Sequence, residues 1–255
     1  MSTAGAPPLA APAWRRVTSQ AAFETRLILR NGEQLLVTMI LPVLLLVALA
    51  QPALIELDTG GATRIDFITP GIFALAVMST SFTSQAITTS FDRRNGVLRL
   101  LATTPLGRGG LLAGKVCAVL AVEAVQVVVL GAVALALGWA PPVAGLAPAL
   151  AAMVLGTAAF TSLALLIAGT LRSEAVLAVA NLRLGLLTVA GGAVVPATEL
   201  PAPLSTLAPL LPSGALGDAL RGALLDSGLP IGAALVLLAW TIALALSAGK
   251  LFRWS

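Results

Sequence analysis

The sequence has no histidine, no tyrosine and a single cysteine, and only 10% of its 255 residues are charged. Without histidine, and with its acidic residues scattered singly, the chain has no material for the common zinc, haem or Ser-His-Asp sites. The lone Cys117 cannot form an internal disulfide. Aromatic residues make up 4% of the chain, too few for a base-stacking surface despite the net charge of +4. We therefore expect no catalytic residue, no metal site and no nucleic-acid partner.

Hydrophobic residues dominate the chain, at 58% of the sequence. This composition predicts an integral membrane protein. A span of about 20 apolar residues crosses the roughly 30 Å hydrocarbon layer. Six stretches are long enough, at about 35–54, 68–90, 115–138, 146–170, 175–195 and 230–250. We predict an all-α membrane protein with six transmembrane helices, the second of which carries so many hydroxyls that it should face protein and not lipid.

The basic residues fall mainly on one side of these spans, which predicts the orientation. Twelve lie in the N-terminal segment, the 91–115 loop, the 171–174 turn and the tail, whereas Arg64 and Arg221 lie on the opposite side. By the positive-inside rule, both termini and the 91–115 loop are expected in the cytoplasm.

Three parts of the chain are predicted on either side of the spans. Residues 1–13 read as a disordered cytoplasmic tail, residues 14–33 as an amphipathic interfacial helix, and residues 34–255 as the membrane domain. The basic residues of the interfacial helix are Arg15, Arg16, Arg26 and Arg30; the alternative is a solvated helix that leads into the first span. Between spans five and six, a proline-rich apolar segment predicts short outer-leaflet helices, or else an ordinary external loop.

Residues 109–116, GGLLAGKV, fill the first places of the phosphate-loop pattern G-x-x-x-x-G-K. Val116 stands where a magnesium-binding hydroxyl residue is needed, and no strand is expected before the segment. We therefore do not expect nucleotide binding here. Gly107, Gly109 and Gly110 would instead turn the chain into the third span, with Gly114 and Lys115 at the entrance of that span and Lys115 at the cytoplasmic boundary.

The segment before these glycines predicts a short amphipathic helix within residues 91–105. Its apolar face would hold Val97, Leu98, Leu100 and Leu101, and its cationic face Arg93, Arg94 and Arg99. Thr104-Pro105 should end the helix, because the residue before proline disfavours helical geometry.

This loop resembles the signature of ABC-2 type permeases, the membrane subunits of ATP-binding-cassette exporters, whose form is roughly E-R-E-x-G-T-L-E-x-L-x-x-T-P-L followed by G-K. The matching positions are Asp92, Arg93, Gly96, Leu98, Leu101, Thr104, Pro105, Leu106, Gly114 and Lys115. Arg94 and Arg99 stand where the general pattern has acids, and Val97 where it has threonine. The doubly basic form resembles the actinobacterial drug-resistance branch that includes daunorubicin-exporter permeases.

The resemblance implies a non-catalytic permease in a bacterial plasma membrane that exports a hydrophobic drug or lipid-like molecule. Two such subunits, as a homodimer or heterodimer, would form the pathway above two copies of an ABC ATPase that bind ATP and magnesium. The implied ATPase-coupling residues are Asp92, Arg93, Arg94, Gly96, Leu98, Arg99, Leu101, Thr104 and Pro105. The alternatives are export of a polysaccharide or glycolipid, and a channel-like or structural membrane protein.

Two ionisable residues, Glu123 and Arg183, fall inside predicted spans three and five. Both lie about 12 to 13 Å from the cytoplasmic ends of their spans at 1.5 Å per residue. Because an unpaired charge at this depth costs several kcal/mol, we expect the two to pair or to line an aqueous cavity, with Gln126 nearby. A structural ion pair and a polar element of the transport path are both consistent with this placement.

Overall fold

A computed structural model describes residues 11–51, 61–180 and 204–251 of the chain. These residues are overwhelmingly helical and contain no β-strand. The main helices are α1 (Ala13–Arg30), α2 (Gly32–Ala50), α3 (Arg64–Arg94), α4 (Val97–Ala102), α5 (Gly107–Ala136), α6 (Val143–Thr170), α7 (Pro212–Asp226) and α8 (Ile231–Leu251). Residues 173–180 are also helical, and the short turns Leu204–Leu207 and Ala208–Leu210 precede α7.

Five of these helices, α2, α3, α5, α6 and α8, are long and apolar enough to cross a membrane. They coincide with predicted spans one, two, three, four and six, so the all-α membrane class is confirmed. The predicted fifth span, 175–195, begins in the helical residues 173–180, and the rest of it lies outside the described residues. The count of six spans therefore stays a prediction.

Helix α3 forms the centre of the bundle, where it packs against α2, α5, α6 and α7. Nearly all of its apolar stretch is buried inside the protein, which confirms that the hydroxyl-rich span faces protein. Several of its hydroxyl groups bond within the helix or to its neighbours: Thr69 Oγ1 donates to the Ile65 carbonyl at 2.6 Å, and Thr80 Oγ1 donates to Gln126 Oε1 at 3.0 Å. The buried hydroxyls of Thr83 and Thr89 have no hydrogen-bond partner among the described residues. Residues Ser79–Ser84 form a π-helical turn in this polar stretch.

The segment before the last span is folded into the bundle. Nearly all of α7 is buried, and the helix packs against α3, α6 and α8. Gly145 of α6 allows a very close approach, because a Cβ at this position would lie 2.0 Å from the Ala223 carbonyl oxygen. The alternative of an ordinary external loop is wrong for residues 212–226. The position of α7 in the outer leaflet stays a prediction.

Several helices extend beyond the spans predicted for them, by one to two helical turns. The second long helix extends through Arg94, because nothing interrupts its backbone before the turn at Asn95-Gly96. Helix α5 begins at Gly107, eight residues before the predicted start of the third span. Of the three glycines expected to turn the chain, only Gly107 takes a positive φ, of 69°, and the residues after it are helical. Gly109 and Gly110 lie in the helix.

The N-terminal helix ends three residues earlier than predicted and packs against the bundle. It stops at Arg30, and α2 begins at Gly32, because the Asn31 side chain accepts a hydrogen bond from the Gln34 amide at 3.1 Å. Helix α1 packs along α5 and buries Ala21, Glu24 and Ile28, and its place at the membrane surface stays a prediction.

Candidate functional site

The polypeptide between α3 and α5 is anchored by Leu98, with Leu101 and Leu106 packed beside it. Gly96 turns the chain with a φ of 78°, a conformation that favours glycine, and α4 follows at once. Leu98 is fully buried in a small apolar cluster with Leu111, Leu165 and Ala248. Helix α4 ends at Ala102, and Thr104 Oγ1 then donates to the Leu101 carbonyl at 2.6 Å, which agrees with the predicted stop before Pro105.

The predicted apolar face of α4 is split between two sides of the helix. Leu98 points into the bundle and Leu101 is half-buried, but Leu100 is 70% exposed and Val97 is 39% exposed. The split follows from geometry, since residues two apart on a helix differ by about 200° in direction. The outward face therefore carries Leu100 and Val97 beside the exposed Arg99.

The other arginines of this segment hold the ends of neighbouring helices. Arg93 donates from Nη1 to the Ala168 carbonyl at 2.8 Å and from Nη2 to the Leu171 carbonyl at 3.0 Å, which caps the end of α6. Arg108 does the same for α8, with 3.3 Å to the carbonyl oxygen of Gly249. Arg94 lies 3.7 Å from Glu174, but both side chains are more than half exposed, so this pair stabilises little.

A buried ion cluster joins α1, α3 and α5. Lys115 is fully buried, with its Nζ 2.8 Å from Glu24 Oε1 and 3.8 Å from Asp92 Oδ2. Gln20 donates from Nε2 to Glu24 Oε1 at 3.0 Å, so the acid of α1 is held from two directions. Two carboxylates around one ammonium group compensate the cost of burying the lysine.

Gly114 explains why α1 can come so close to the lysine. A Cβ at Gly114 would lie 2.9 Å from Gln20 Cγ and 3.6 Å from the Val17 carbonyl oxygen of α1. The Gly-Lys pair is thus part of a continuous helix and not of a phosphate loop; its place at the membrane entrance of the third span stays a prediction. It lies two turns inside α5, where the glycine admits α1 and the lysine pairs with its acid.

A groove of about 270 Å³ lies between α1 and the segment that follows α4. Arg16, Ser19 and Gln20 line one side, and Leu101, Thr104, Pro105 and Leu106 line the other. The Arg16 Nε is buried and has no hydrogen-bond partner within the described ranges. The groove and the exposed face of α4 occupy the end of the bundle that carries Arg93, Arg94, Arg99, Arg108 and Lys250, which we call the basic end.

A larger cavity of about 540 Å³ opens between α2, α3 and the helical residues 173–180. Its polar lining consists of Asn31, Glu33, Gln34, Thr38, Ser79, Thr83, Ser84, Thr88 and Asp92, and its apolar lining of Val37, Ile87, Phe91 and Leu177. Gln34 donates to Ser84 Oγ across the cavity, which fixes α2 against α3. The lining thus combines hydroxyls and carboxylates with an apolar wall, an arrangement suited to an amphipathic molecule.

The polar residues deeper in α5 belong to two separate contacts. Glu123 accepts a hydrogen bond from Thr157 of α6, while Gln126 contacts Thr80 of α3 and donates to the Thr38 carbonyl of α2. Glu123 and Gln126 thus contact different helices, and no hydrogen bond joins them within the described residues. Arg183 lies outside the described residues, so its pairing with Glu123 stays a prediction.

The interfacial arginines are mostly exposed. Arg15, Arg26 and Arg30 are exposed and Arg16 is half-buried, on a helix whose Trp14, Phe23 and Leu27 are also more than half exposed. In ranges 11–51, 61–180 and 204–251, no group of three histidines, cysteines or carboxylates could hold a metal ion.

Sequence reasoning missed Glu24, the central acid of the ion cluster. A signal was present in the chain, because Val17, Ala21, Glu24 and Ile28 recur at helical spacing and place the acid on the apolar stripe of α1. An acid in such a stripe needs a buried cation, and Lys115 is the lysine that meets it.

The comparison with known families is consistent with this geometry. The family model described as ABC-2 type transporter matches residues 18–225, which extend from α1 almost to the end of α7. No curated protein matches the chain. The protein therefore belongs to the ABC-2 type transporter family, as a multi-pass, non-catalytic permease subunit of an ABC transporter.

Proposed function

We propose that this permease exports a hydrophobic drug or lipid-like molecule, and that an ABC ATPase drives it by docking on the groove and the exposed face of α4. ATP and magnesium would bind to the ATPase, two copies of which would serve two permease subunits. The second permease would be another copy of this chain or a related one. The basic end would face the cytoplasm of a bacterial cell, with both termini on that side.

The observation that carries this proposal is the exposed Leu100 next to the groove. A leucine that is 70% exposed, flanked by Arg99 and Arg94, offers an apolar anchor with a cationic rim. Arg16, half-buried in the groove wall, adds a further cation beside this anchor. We infer a partner surface with an apolar socket and acidic residues around it.

The buried ion cluster provides a physical link from this surface to the membrane. Glu24 and Gln20 belong to α1, Asp92 to α3 and Lys115 to α5. Displacing α1 alone would leave buried charges unpaired, so the three helices should move together. Asp92 also lines the cavity of about 540 Å³, so a movement of the three helices would change the shape of this cavity.

We assign the transport path to this cavity, because its hydroxyl and carboxylate groups face an apolar wall of Val37, Ile87, Phe91 and Leu177. Such a lining suits an amphipathic drug or lipid better than a long polysaccharide, which would need a continuous polar surface. Family membership favours the transporter interpretation over a channel-like or structural role.

Co-purification tests the docking surface. The full chain would be co-expressed with an ABC ATPase encoded in the same genome, and Leu100→Asp should reduce the recovered ATPase at least tenfold without changing the thermal stability of the permease. The matched control is Leu251→Asp, at an exposed leucine on the same end of the bundle. Undiminished recovery with Leu100→Asp would show that docking does not use α4.

A further inference from the structure

Helix α2 contains a proline, and a side chain of another helix replaces the hydrogen bond that this proline cannot make. In a regular α-helix the N–H of residue 42 would donate to the carbonyl of Thr38, but Pro42 has no N–H. The Thr38 carbonyl accepts instead from Nε2 of Gln126 on α5. All three residues are buried, and a free carbonyl inside a membrane is costly because no water reaches it. Gln126 thus completes the backbone hydrogen bonding of α2.

The same glutamine also holds α3. Its Oε1 accepts a hydrogen bond from Thr80 Oγ1 at 3.0 Å. Both contacts lie at π-helical turns, since Thr38 belongs to the turn Leu36–Ile40 of α2 and Thr80 to the turn Ser79–Ser84 of α3. Such turns interrupt the regular bonding of a helix and are frequent at functional sites and at kinks. One side chain of α5 therefore joins the irregular turns of two helices.

Both π-helical turns line the cavity of about 540 Å³ that we assign to the transport path. Val37 and Thr38 come from the turn of α2, and Ser79, Thr83 and Ser84 from the turn of α3. Gln126 is not itself a lining residue. It can therefore affect the cavity only through the two helices that it joins.

Helix α2 is held on both sides of Pro42 by hydrogen bonds to other helices. Before the proline, among the described residues, these are the bond of Gln34 and the bond at the Thr38 carbonyl. After it, Arg64 Nε of α3 donates to the Leu49 carbonyl at 2.6 Å. Little of α2 is buried, so these bonds matter for its position. Because a proline permits a helix to bend, the part before it can swing while the part after it stays fixed.

We propose that residues 32–41 form a movable wall of the cavity, hinged at Pro42, and that Gln126 is the positioning residue that keeps this wall closed. The wall's part in transport rests on the proposed function, but the contact with Gln126 does not. The proposal has a specific consequence, because Pro42→Ala would restore the N–H that the Thr38 carbonyl lacks and would stiffen the hinge. The need for Gln126 should then disappear.

The test measures how fast a cysteine inside the cavity reacts with a water-soluble maleimide in the purified full chain. In a Cys117→Ser background, Thr83→Cys places the thiol on the cavity wall at a residue that is 8% exposed and whose hydroxyl has no partner in the described ranges. Gln126→Leu should raise the labelling rate about tenfold, the factor that corresponds to one buried carbonyl left without a partner. Adding Pro42→Ala should return the rate to within about twofold of the parent.

A second buried cysteine separates opening of the wall from general loosening. Ala152→Cys lies in the core on α6, away from the cavity lining, and its labelling rate should not respond to Gln126→Leu. Equal acceleration at both cysteines would overturn the proposal, as would a rate at Thr83→Cys that Pro42→Ala does not lower. If Gln126→Leu alone is not recovered folded, its recovery together with Pro42→Ala is the expected result, and failure of this rescue counts against the hinge.

An export assay on the same variants distinguishes this proposal from the proposed function. Gln126→Leu should reduce export of a hydrophobic dye, and Pro42→Ala should not restore it if the wall has to move during transport. Labelling as expected with unchanged export would leave the hinge and its positioning residue in place and would remove the cavity from the transport path.

Discussion

At the scale of single residues, Lys115 has the most demanding environment in the described ranges. It is fully buried, and its stability depends on carboxylates from two other helices. The Gly-Lys pair thus serves to hold α1 on the bundle. A lysine alone could not remain at this position, because an unpaired buried ammonium group costs several kcal/mol.

Lys115→Met should destabilise the protein by about 3–5 kcal/mol, since it leaves Glu24 buried without its cation. The measurement is the temperature at which detergent-solubilised protein is lost from the monodisperse peak in size-exclusion chromatography. Lys250→Met, at an exposed lysine at the end of α8, is the matched control and should change this temperature little. Equal effects of the two variants would contradict the assigned role of the ion cluster.

The sequence motif located this site but could not supply its partners. Gly114 and Lys115 were identified from the spacing of the motif and Asp92 from the family resemblance, and the structure brings the acid and the lysine within 3.8 Å. Glu24 lies 91 residues from Lys115 in the chain, and no local pattern joins positions that far apart. Periodicity shows which face of α1 is buried, but only packing shows which helix covers it.

At the scale of helices, the close contact between α6 and α7 sets the architecture of the segment before α8. Gly145 lies against the Ala223 backbone, and Gly156 lies against Leu216. Small residues let helix backbones approach closely, which is how helices associate in membranes.

Gly145→Ala should destabilise the protein by about 1–3 kcal/mol, because the new Cβ would overlap the Ala223 carbonyl and force the helices apart. Gly131→Ala is the control: it places the same methyl group on a helix where no atom lies within 4 Å, and it should be neutral or stabilising. The stability of both variants is measured as the midpoint temperature of thermal unfolding. A Gly145→Ala protein as stable as the parent would mean that α7 does not pack as described.

Hydropathy predicted the long helices well and their ends poorly. Apolar length identifies α2, α3, α5, α6 and α8, because any spanning helix must cover the same hydrocarbon thickness. The ends depend on local backbone geometry, as at Asn31 and Gly107. They also depend on ion-pair partners, which allow a charged residue such as Lys115 to lie within a helix. Helix α7 could be predicted as a short helix against the bundle, but not its nearly complete burial.

At the scale of the whole molecule, the charge distribution predicts a fixed orientation in the membrane. The structure gathers Arg93 and Arg108 at one end, where they also cap α6 and α8. The same residues therefore favour both the fold and the cytoplasmic placement of that end, because cations are stabilising at helix C-termini and are retained on the inner side.

Cysteine labelling in whole cells checks this orientation. In a Cys117→Ser background, Asp226→Cys should react with a membrane-impermeant maleimide added outside, and Thr103→Cys should react only after the cells are opened; both positions are exposed. Because Cys117 is the only native cysteine, the background is silent. Reversed labelling would place the basic end outside and would contradict docking of a cytoplasmic ATPase.

The length of α5 determines how far a movement at the buried ion cluster displaces the other end of the helix. Its 30 residues extend about 45 Å, and Lys115 fixes the helix to α1 near one end. If α1, α3 and α5 turn together about that end, a tilt of α5 by about 10° displaces its far end by about 8 Å. A small push beneath the membrane would thus become, by leverage alone, an opening on the opposite side wide enough for a lipid chain.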